Sequence, residues 1–430
     1  MKKYIKNNWP FILLIFIAVI LHVCAFIYLG YDYTIKSDDA SYIKSGIVFY
    51  KTGIVTMHGG VRSAQIMPGL TFIIAFFSLL FGTGTKLLIA LKIFWMLMGI
   101  ASVAVLYKII NLYANKYISA LVSLFLLALD FVWMNNLILT ETPFMLLFLL
   151  LVYYTLKIAE KPSWKYFILI CAFYILCLFI RPVIAPYPIF LIIYLLIKKY
   201  DLKLLIKQVA IAIVLVIVVL APWIYRNYTI YNKFIPLTYG SGNPLLLGTY
   251  QGYGYPLDKD LDYDKMDESL DPKLIKHVKE ENAVKNPIGR YYLMEYDKEK
   301  AEYRMEYWWK NNKKSMLISY FVLKPKIMLF SSFYWDQLFG VPIRANLIVR
   351  LIDLVLFGFS SVFIILKKKY LKEFLFILIL YISQVALYSY TFAFSRYAIT
   401  LFFLRFIIIG IGLELVFQTV KEKRLKKTKK

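Results

Sequence analysis

Apolar runs of roughly 20 residues, separated by short polar breaks, follow one another along most of the chain. That is the length a helix needs to cross a bilayer. The pattern predicts about ten spans, over 11–28, 87–107, 117–134, 140–157, 164–180, 183–197, 205–224, 346–366, 373–390 and 395–416. Two runs break the rhythm. Met67 to Phe81, opened by Pro68-Gly69, holds only about 15 apolar residues and reads as a re-entrant or interfacial helix. Met316 to Phe339 is interrupted by Lys324-Pro325-Lys326. Two lysines at mid-bilayer are costly and a proline interrupts a helix, so this run also reads as interfacial or re-entrant. The fold class that follows is an all-α polytopic membrane protein.

Between the runs lie two polar stretches of different character. The first, 37–69, opens with adjacent carboxylates, Asp38 and Asp39. Ala40, Ile43, Ile47 and Tyr50 follow at the 3–4 spacing of one helical face, and Gly53 is placed to stop that helix. With Ser37 or Asp38 as N-cap, both carboxylates sit in the first turn, where exposed N–H groups attract negative charge. The second stretch, Tyr225 to Ser315, is the long polar region, with a surface helix expected between Lys273 and Lys314. Asp258, Asp260 and Asp262 have the opening spacing of a calcium loop. Tyr263 stands where such a loop needs glycine and Ser269 where it needs glutamate, which argues against calcium.

Composition agrees with the spans. The chain is 60% hydrophobic and 18% aromatic, with a mean hydropathy of +0.64, too apolar throughout for a water-soluble domain. The formal charge of +25 does not point to nucleic acid, because the lysines sit in short clusters beside apolar runs, as cytoplasmic loops and contacts with anionic lipid require. Lys2, Lys3 and Lys6 place the N-terminus inside. If Met67 to Phe81 does not cross, then Lys108 and Lys116, Lys157 to Lys165, Lys198 to Lys207, Lys367 to Lys372 and the tail from Lys421 to Lys430 are all inside too. Cys24, Cys171 and Cys177 lie in apolar segments without metal-ligand spacing and read as small hydrophobes. The first span lacks a small-residue cleavage signal and reads as an anchor. Three parts result: 1–224, carrying the first outer loop (31–86); 225–345, the outer loop and interfacial helices; and 346–430, the last spans and basic tail.

This topology brings Asp38, Asp39, Glu141, Arg181, Arg226, Lys324 and Arg396 to the extracytoplasmic side, each at a span end or in an adjoining loop. Arginines and lysines there can be snorkelling anchors, and Glu141 or Asp38 a helix-start residue. Charge at that depth is otherwise functional. Acids beside outward-facing cations at a lipid surface suit an anionic, lipid-linked substrate and a base that deprotonates an acceptor. A secondary transporter would show internal repeats and midplane charges, and no repeat is visible. A polysaccharide polymerase or flippase for lipid-linked sugars would need a similar basic cavity and stays as the alternative.

Several stretches resemble one family. Ser37-Asp38-Asp39-Ala40-Ser41-Tyr42, Met67-Pro68-Gly69-Leu70, Leu139-Thr140-Glu141, Ile180-Arg181-Pro182, Pro222-Trp223-Ile224-Tyr225-Arg226-Asn227 with Pro236-Leu237, and Ser395-Arg396-Tyr397 occur in this order. The set is similar to membrane glycosyltransferases of the GT-C fold class, in particular glycosyltransferase family 39, with the bacterial relatives of protein O-mannosyltransferases and the aminoarabinose (lipid A) transferases. The resemblance implies an inverting hexosyl- or pentosyltransferase that uses a polyprenyl-phosphate sugar on the outer face of the membrane and passes it to a glycan, lipid or protein acceptor. It implies that Asp38 is the catalytic base, with Asp39 the second acid of the pair. From the charges themselves, Glu141 is a further catalytic candidate, and Arg181, Arg226, Lys324 and Arg396 are the candidates for binding the donor phosphate. A one-phosphate donor demands no divalent metal, so no cofactor is expected to be essential. The segment before Pro68 lacks the polar lead-in of many relatives, and no large soluble domain follows the last span.

Overall fold

The computed structural model describes residues 2–57 and 60–427; Lys429 and Lys430 of the basic tail lie outside the described residues. The chain is helical throughout, apart from one two-stranded hairpin. Helix α1 (Lys2–Leu29) leads into the first loop, which contains α2 (Asp38–Thr52), the strands β1 (Thr56–Met57) and β2 (Val61–Arg62), and α3 (Gly69–Phe81). Next come α4 (Thr85–Ile110), α5 (Lys116–Ser123), α6 (Leu129–Met134), α7 (Glu141–Glu160), α8 (Trp164–Ile180), α9 (Tyr187–Ile197) and α10 (Leu202–Tyr231). The polar region folds as α11 (Gly242–Thr249), α12 (Tyr263–Ser269), α13 (Pro272–Lys279) and α14 (Pro287–Asn311), followed by α15 (Lys313–Ile318) and α16 (Lys324–Leu329). Then α17 (Ile343–Lys367), α18 (Leu371–Tyr390), the short α19 (Ser395–Ala398) and α20 (Phe402–Lys427) finish the chain.

Among the described residues seven helices are long and apolar enough to cross a membrane, and four shorter apolar helices accompany them. The expectation of about ten spans is corrected accordingly. The segment 117–134 is not one helix: α5 gives way to a 3-10 turn at Leu124–Leu127, Ala128 is extended, and α6 restarts with the buried Asp130. Likewise 183–197 is a 3-10 turn followed by an 11-residue helix. Helix α20 forms the centre, with every residue from Phe402 to Ile411 buried, packed along α17, α18 and α4. Gly412 permits the α17 approach, since a Cβ there would lie 2.3 Å from Ser360 Cβ.

The two ends of the bundle are distinguished by their contacts. Lys116 Nζ donates to Asn7 O, the Asn115 amide donates to Glu414, and Tyr113 packs edge-on to Tyr370. Lys198 pairs with Glu373 at 2.6 Å. One end therefore collects the start of α1 and the basic breaks after α4, α9 and α17. At the other end Lys92, near the start of α4, donates to Tyr33 O and Asn136 O, and Gly69 packs against the backbone of Phe179. Helix α3 begins and ends on this second side. Its 13 residues rise only about 20 Å, short of the roughly 30 Å of a hydrocarbon core. Lys116→Cys and Lys161→Cys should thus be labelled by a membrane-impermeant thiol reagent from the cytoplasm only; labelling of either from outside would reverse the assignment.

Two local expectations change. The buried face of α2 is Asp39, Tyr42, Ile43, Ser45 and Gly46, while Ala40 and Tyr50 are exposed. The face rotated because α2 docks on α3 through Gly46, where a Cβ would come within 2.3 Å of Ile74 Cγ2. Gly53 does end the helix, at φ 69°. Pro325 does not break its run either. A π-helical turn at Ser319–Leu323 precedes α16 and carries the chain past the proline, the widened turn accommodating the missing donor.

Candidate active site

The two adjacent carboxylates part company at the start of α2. Asp39 turns back and accepts from the backbone N–H groups of Ile35, Ser37 and Ala40, at 2.8, 3.1 and 2.9 Å. It is 1% exposed and closes the turn into the helix, since Ser37 makes no side-chain cap. Asp38, with 30% of its side chain exposed, points the other way and accepts from Arg396 Nη1 at 2.6 Å.

Arg396 binds two acids at once. Its Nε donates to Glu141 Oε1 at 2.6 Å. Glu141, the first residue of α7, is fully buried. Arg181 Nη1 stands 3.4 Å from the same oxygen, at ion-pair distance but without a hydrogen bond. The residue before a proline is pushed to extended backbone, and Arg181, ahead of Pro182 at φ −147° and ψ 117°, leaves α8 in that way. Its guanidinium lies 4.8 Å from the ring centre of Tyr397 and 5.9 Å from that of Tyr388, and these two rings stack at 4.8 Å. A buried arginine held by aromatic faces and a carboxylate is strongly oriented.

Asp38, Tyr42, Arg181, Tyr388, Arg396 and Tyr397 line a cavity of about 510 Å³, together with Gln65 to Met67, Pro182 and Ser241. Burial pushes the Tyr42 hydroxyl well above its ordinary range, so it remains a donor. Among the described residues the Tyr388 hydroxyl and Arg181 Nη1 are buried donors with no hydrogen-bond acceptor. A cleft with one cationic and one hydroxyl donor still unsatisfied, and one carboxylate at the wall, can take an anionic group and a hydroxyl together.

The structure thus brings together Asp38, Glu141, Arg181 and Arg396, which lie far apart in sequence, and sets Asp39, Arg226 and Lys324 around them. Arg226 Nη1 donates to Ser63 O at 2.9 Å and Nη2 to Val55 O, and its guanidinium lies over Trp223. It braces the hairpin leading to the Gln65–Met67 wall. Lys324 is fully buried, donates to Thr391 O at 3.2 Å and stands over the Tyr320 ring; Thr391 itself lines the cavity.

Burial depresses the Lys324 amine to about 7. An unfolded lysine titrates near 10.4, so between about pH 7 and 10 the unfolded chain binds the extra proton and stability rises with pH. Below about pH 7 the cost of burying the cation is complete. Lys324→Met should therefore flatten that rise, measured as the melting temperature of the detergent-solubilised protein from pH 6 to 10. An identical pH dependence in the variant would remove Lys324 as its cause.

The reading of the sequence passed over one further cluster. Asp130, Arg350, Asp353 and Arg405 are all fully buried. Arg350 Nη2 donates to both oxygens of Asp130 at 2.8 Å, and Arg405 Nη2 to Asp353 at 2.8 Å, while Ser332 donates to Asp130. The cluster clamps α6, α17 and α20. Its signal in the sequence is the set of ionisable residues inside apolar runs. Tyr388 carried no such signal. The calcium-like acids are otherwise engaged: Asp258 pairs with Arg304 and accepts from Tyr263 and Tyr250, and Asp262 caps α12.

Comparison with known proteins follows the same lines. Residues 65–225 match the family described as dolichyl-phosphate-mannose-protein mannosyltransferase. No curated protein matches. Among solved structures, the archaeal oligosaccharyltransferase AglB from Archaeoglobus fulgidus, in complex with an inhibitory peptide and a dolichol-phosphate, is similar over 99% of this chain at 12% identity, with a TM-score of 0.54. The present chain spans 52% of that protein. ArnT from Cupriavidus metallidurans bound to undecaprenyl phosphate is 15% identical over 95% of this chain and 78% of its own, with a TM-score of 0.44. The likeness to AglB is one of fold, and it agrees with the GT-C architecture expected from the sequence: an all-α, polytopic membrane protein.

Proposed function

We propose that the protein is an inverting glycosyltransferase that moves a sugar from a polyprenyl-phosphate donor to an acceptor on the extracytoplasmic side of the membrane. The observation that carries this reading is the Asp38–Arg396–Glu141–Arg181 constellation at the wall of one cavity, on the end of the bundle opposite the start of α1. The description of the matching family and the dolichol-phosphate held by AglB support a polyisoprenyl-phosphate donor.

In the proposed reaction the donor phosphate lies against Arg181 and Arg396, with the Tyr388 hydroxyl as a further donor. Asp38 takes the proton of the acceptor nucleophile as it attacks the anomeric carbon opposite the phosphate. The C1–O bond to phosphate breaks, the configuration inverts, and the polyprenyl phosphate leaves with its charge beside the two guanidinium groups. One base suffices, because inversion proceeds without a covalent intermediate. Glu141 touches neither partner and holds both arginines in register. Arg226 and Lys324 act on the donor through the cavity walls that they brace.

Purified protein incubated with a panel of polyprenyl-phosphate sugars should hydrolyse or transfer one of them, scored by mass spectrometry, with the anomeric configuration of the product inverted. Retention of configuration, or no turnover of any donor, overturns the reading.

A further inference from the structure

The segment that joins α14 to α16 has two unlike faces. Inward, at four-residue spacing, lie Tyr320, Lys324 and Met328; Ser319, also inward, donates to Gln251 O at 2.8 Å, and α16 packs on α18. Outward, at 3–4 spacing, run Lys310, Lys313 and Lys314, then Leu317, Ile318, Phe321 and Val322. Phe321 is 75% exposed and Val322 55%. Trp309, 47% exposed, stands at the head of this stripe with Lys313 Nζ 5.3 Å from its ring centre. Lys310 is paired with Glu306 at 2.5 Å. Among the described residues Lys313 and Lys314 have no carboxylate within ion-pair distance.

The π-helical turn that carries Phe321 and Val322, with α16 after it, packs on α18, a helix long and apolar enough to cross the membrane, and Lys324 donates to Thr391 just past its end at Tyr390 on the cavity side of the bundle. The apolar half of the stripe is therefore continuous with surface that faces acyl chains. Its cationic, indole-bearing half falls where that surface meets headgroups. Tryptophan favours this depth, and two unpaired lysines there complement phosphate charge.

We propose that Trp309, Lys313 and Lys314 form a docking surface for anionic phospholipid headgroups of the outer leaflet. It seats the polar layer formed by α11 to α14 on the bilayer, next to the Lys324–Thr391 wall of the cavity. The proposal does not depend on the proposed reaction.

The full chain is reconstituted in nanodiscs containing acyl-brominated phosphatidylglycerol or, in a second series, acyl-brominated phosphatidylcholine. The emission of Trp309 is obtained as the difference between wild type and Trp309→Phe. Half-quenching should need roughly 30-fold less brominated phosphatidylglycerol than brominated phosphatidylcholine, about five-fold for each of the two lysines near an anionic surface. Lys313→Gln/Lys314→Gln should bring the two series together while phosphatidylcholine still quenches. In wild type, high salt should do the same, which keeps the test decisive if the double variant fails to fold. Equal quenching by both lipids in low salt, no quenching by either, or a preference that survives both high salt and loss of the lysines overturns the proposal.

Discussion

Asp38→Asn should fold and bind donor like the wild type yet lose transfer by roughly 10²- to 10⁴-fold, the usual worth of a positioned acid or base. The structure sharpens this test. A helix cap was the competing role for Asp38, and asparagine caps almost as well as aspartate. In the fold Asp39 takes three backbone N–H groups of the turn, and Asp38 reaches the cavity and Arg396. Asp39→Ala should accordingly act on stability: it strands donors at a buried turn, at about 1–3 kcal/mol for each one left unsatisfied. Donor binding is followed by native mass spectrometry, transfer by product formation and stability by thermal unfolding. Near-normal transfer by Asp38→Asn at saturating donor would remove Asp38 as the base and leave Asp39 and Glu141 to be tried.

Arg396→Ala should be the most damaging single change to fold and activity together. It removes a hydrogen-bonded partner of the fully buried Glu141 and an ion-pair partner of Asp38 in one step. Breaking a buried pair from one side costs about 3–5 kcal/mol, because the remaining charge stays buried. Arg396→Ala combined with Glu141→Gln removes that carboxylate charge but leaves Arg181 without its acidic partner, so it should recover only part of the stability and none of the transfer. Thermal unfolding and the transfer assay, run on both variants, separate the two contributions. Full recovery of transfer in the double variant would show that Arg396 serves only to neutralise Glu141.

How much of this was legible in the sequence differs by element. The seven long apolar helices and the short α3 were readable because bilayer thickness fixes apolar length, independent of partners. The break in 117–134 was not, because it is set by the pairing of Asp130 with Arg350, two residues whose proximity only the tertiary fold creates. The candidate site was legible as one end of the bundle and a set of charges. Which charges meet was not: Arg181, Arg226, Lys324 and Arg396 looked alike as cations near span ends. Only packing decides that Arg396 bridges Asp38 and Glu141 while Arg226 is spent on the carbonyls of the hairpin. The same holds for Asp38 and Asp39, where a single residue of helical register sends one carboxylate into the turn and the other into the cavity.

The ion pair between Asp38 and Arg396 also has a consequence for biogenesis. Its partners are 358 residues apart, and chain elongation at about 5–20 residues per second separates their synthesis by roughly 20–70 s. During that interval the acid of the first loop is made and its cationic partner does not yet exist. A nascent chain stalled before α19 therefore holds every membrane helix except the last, and it also holds Glu141 and Arg181, yet it lacks the residue that joins them to Asp38. Insertion of α20, whose central residues are all buried, is the event that closes the bundle and completes the cavity wall in the same step.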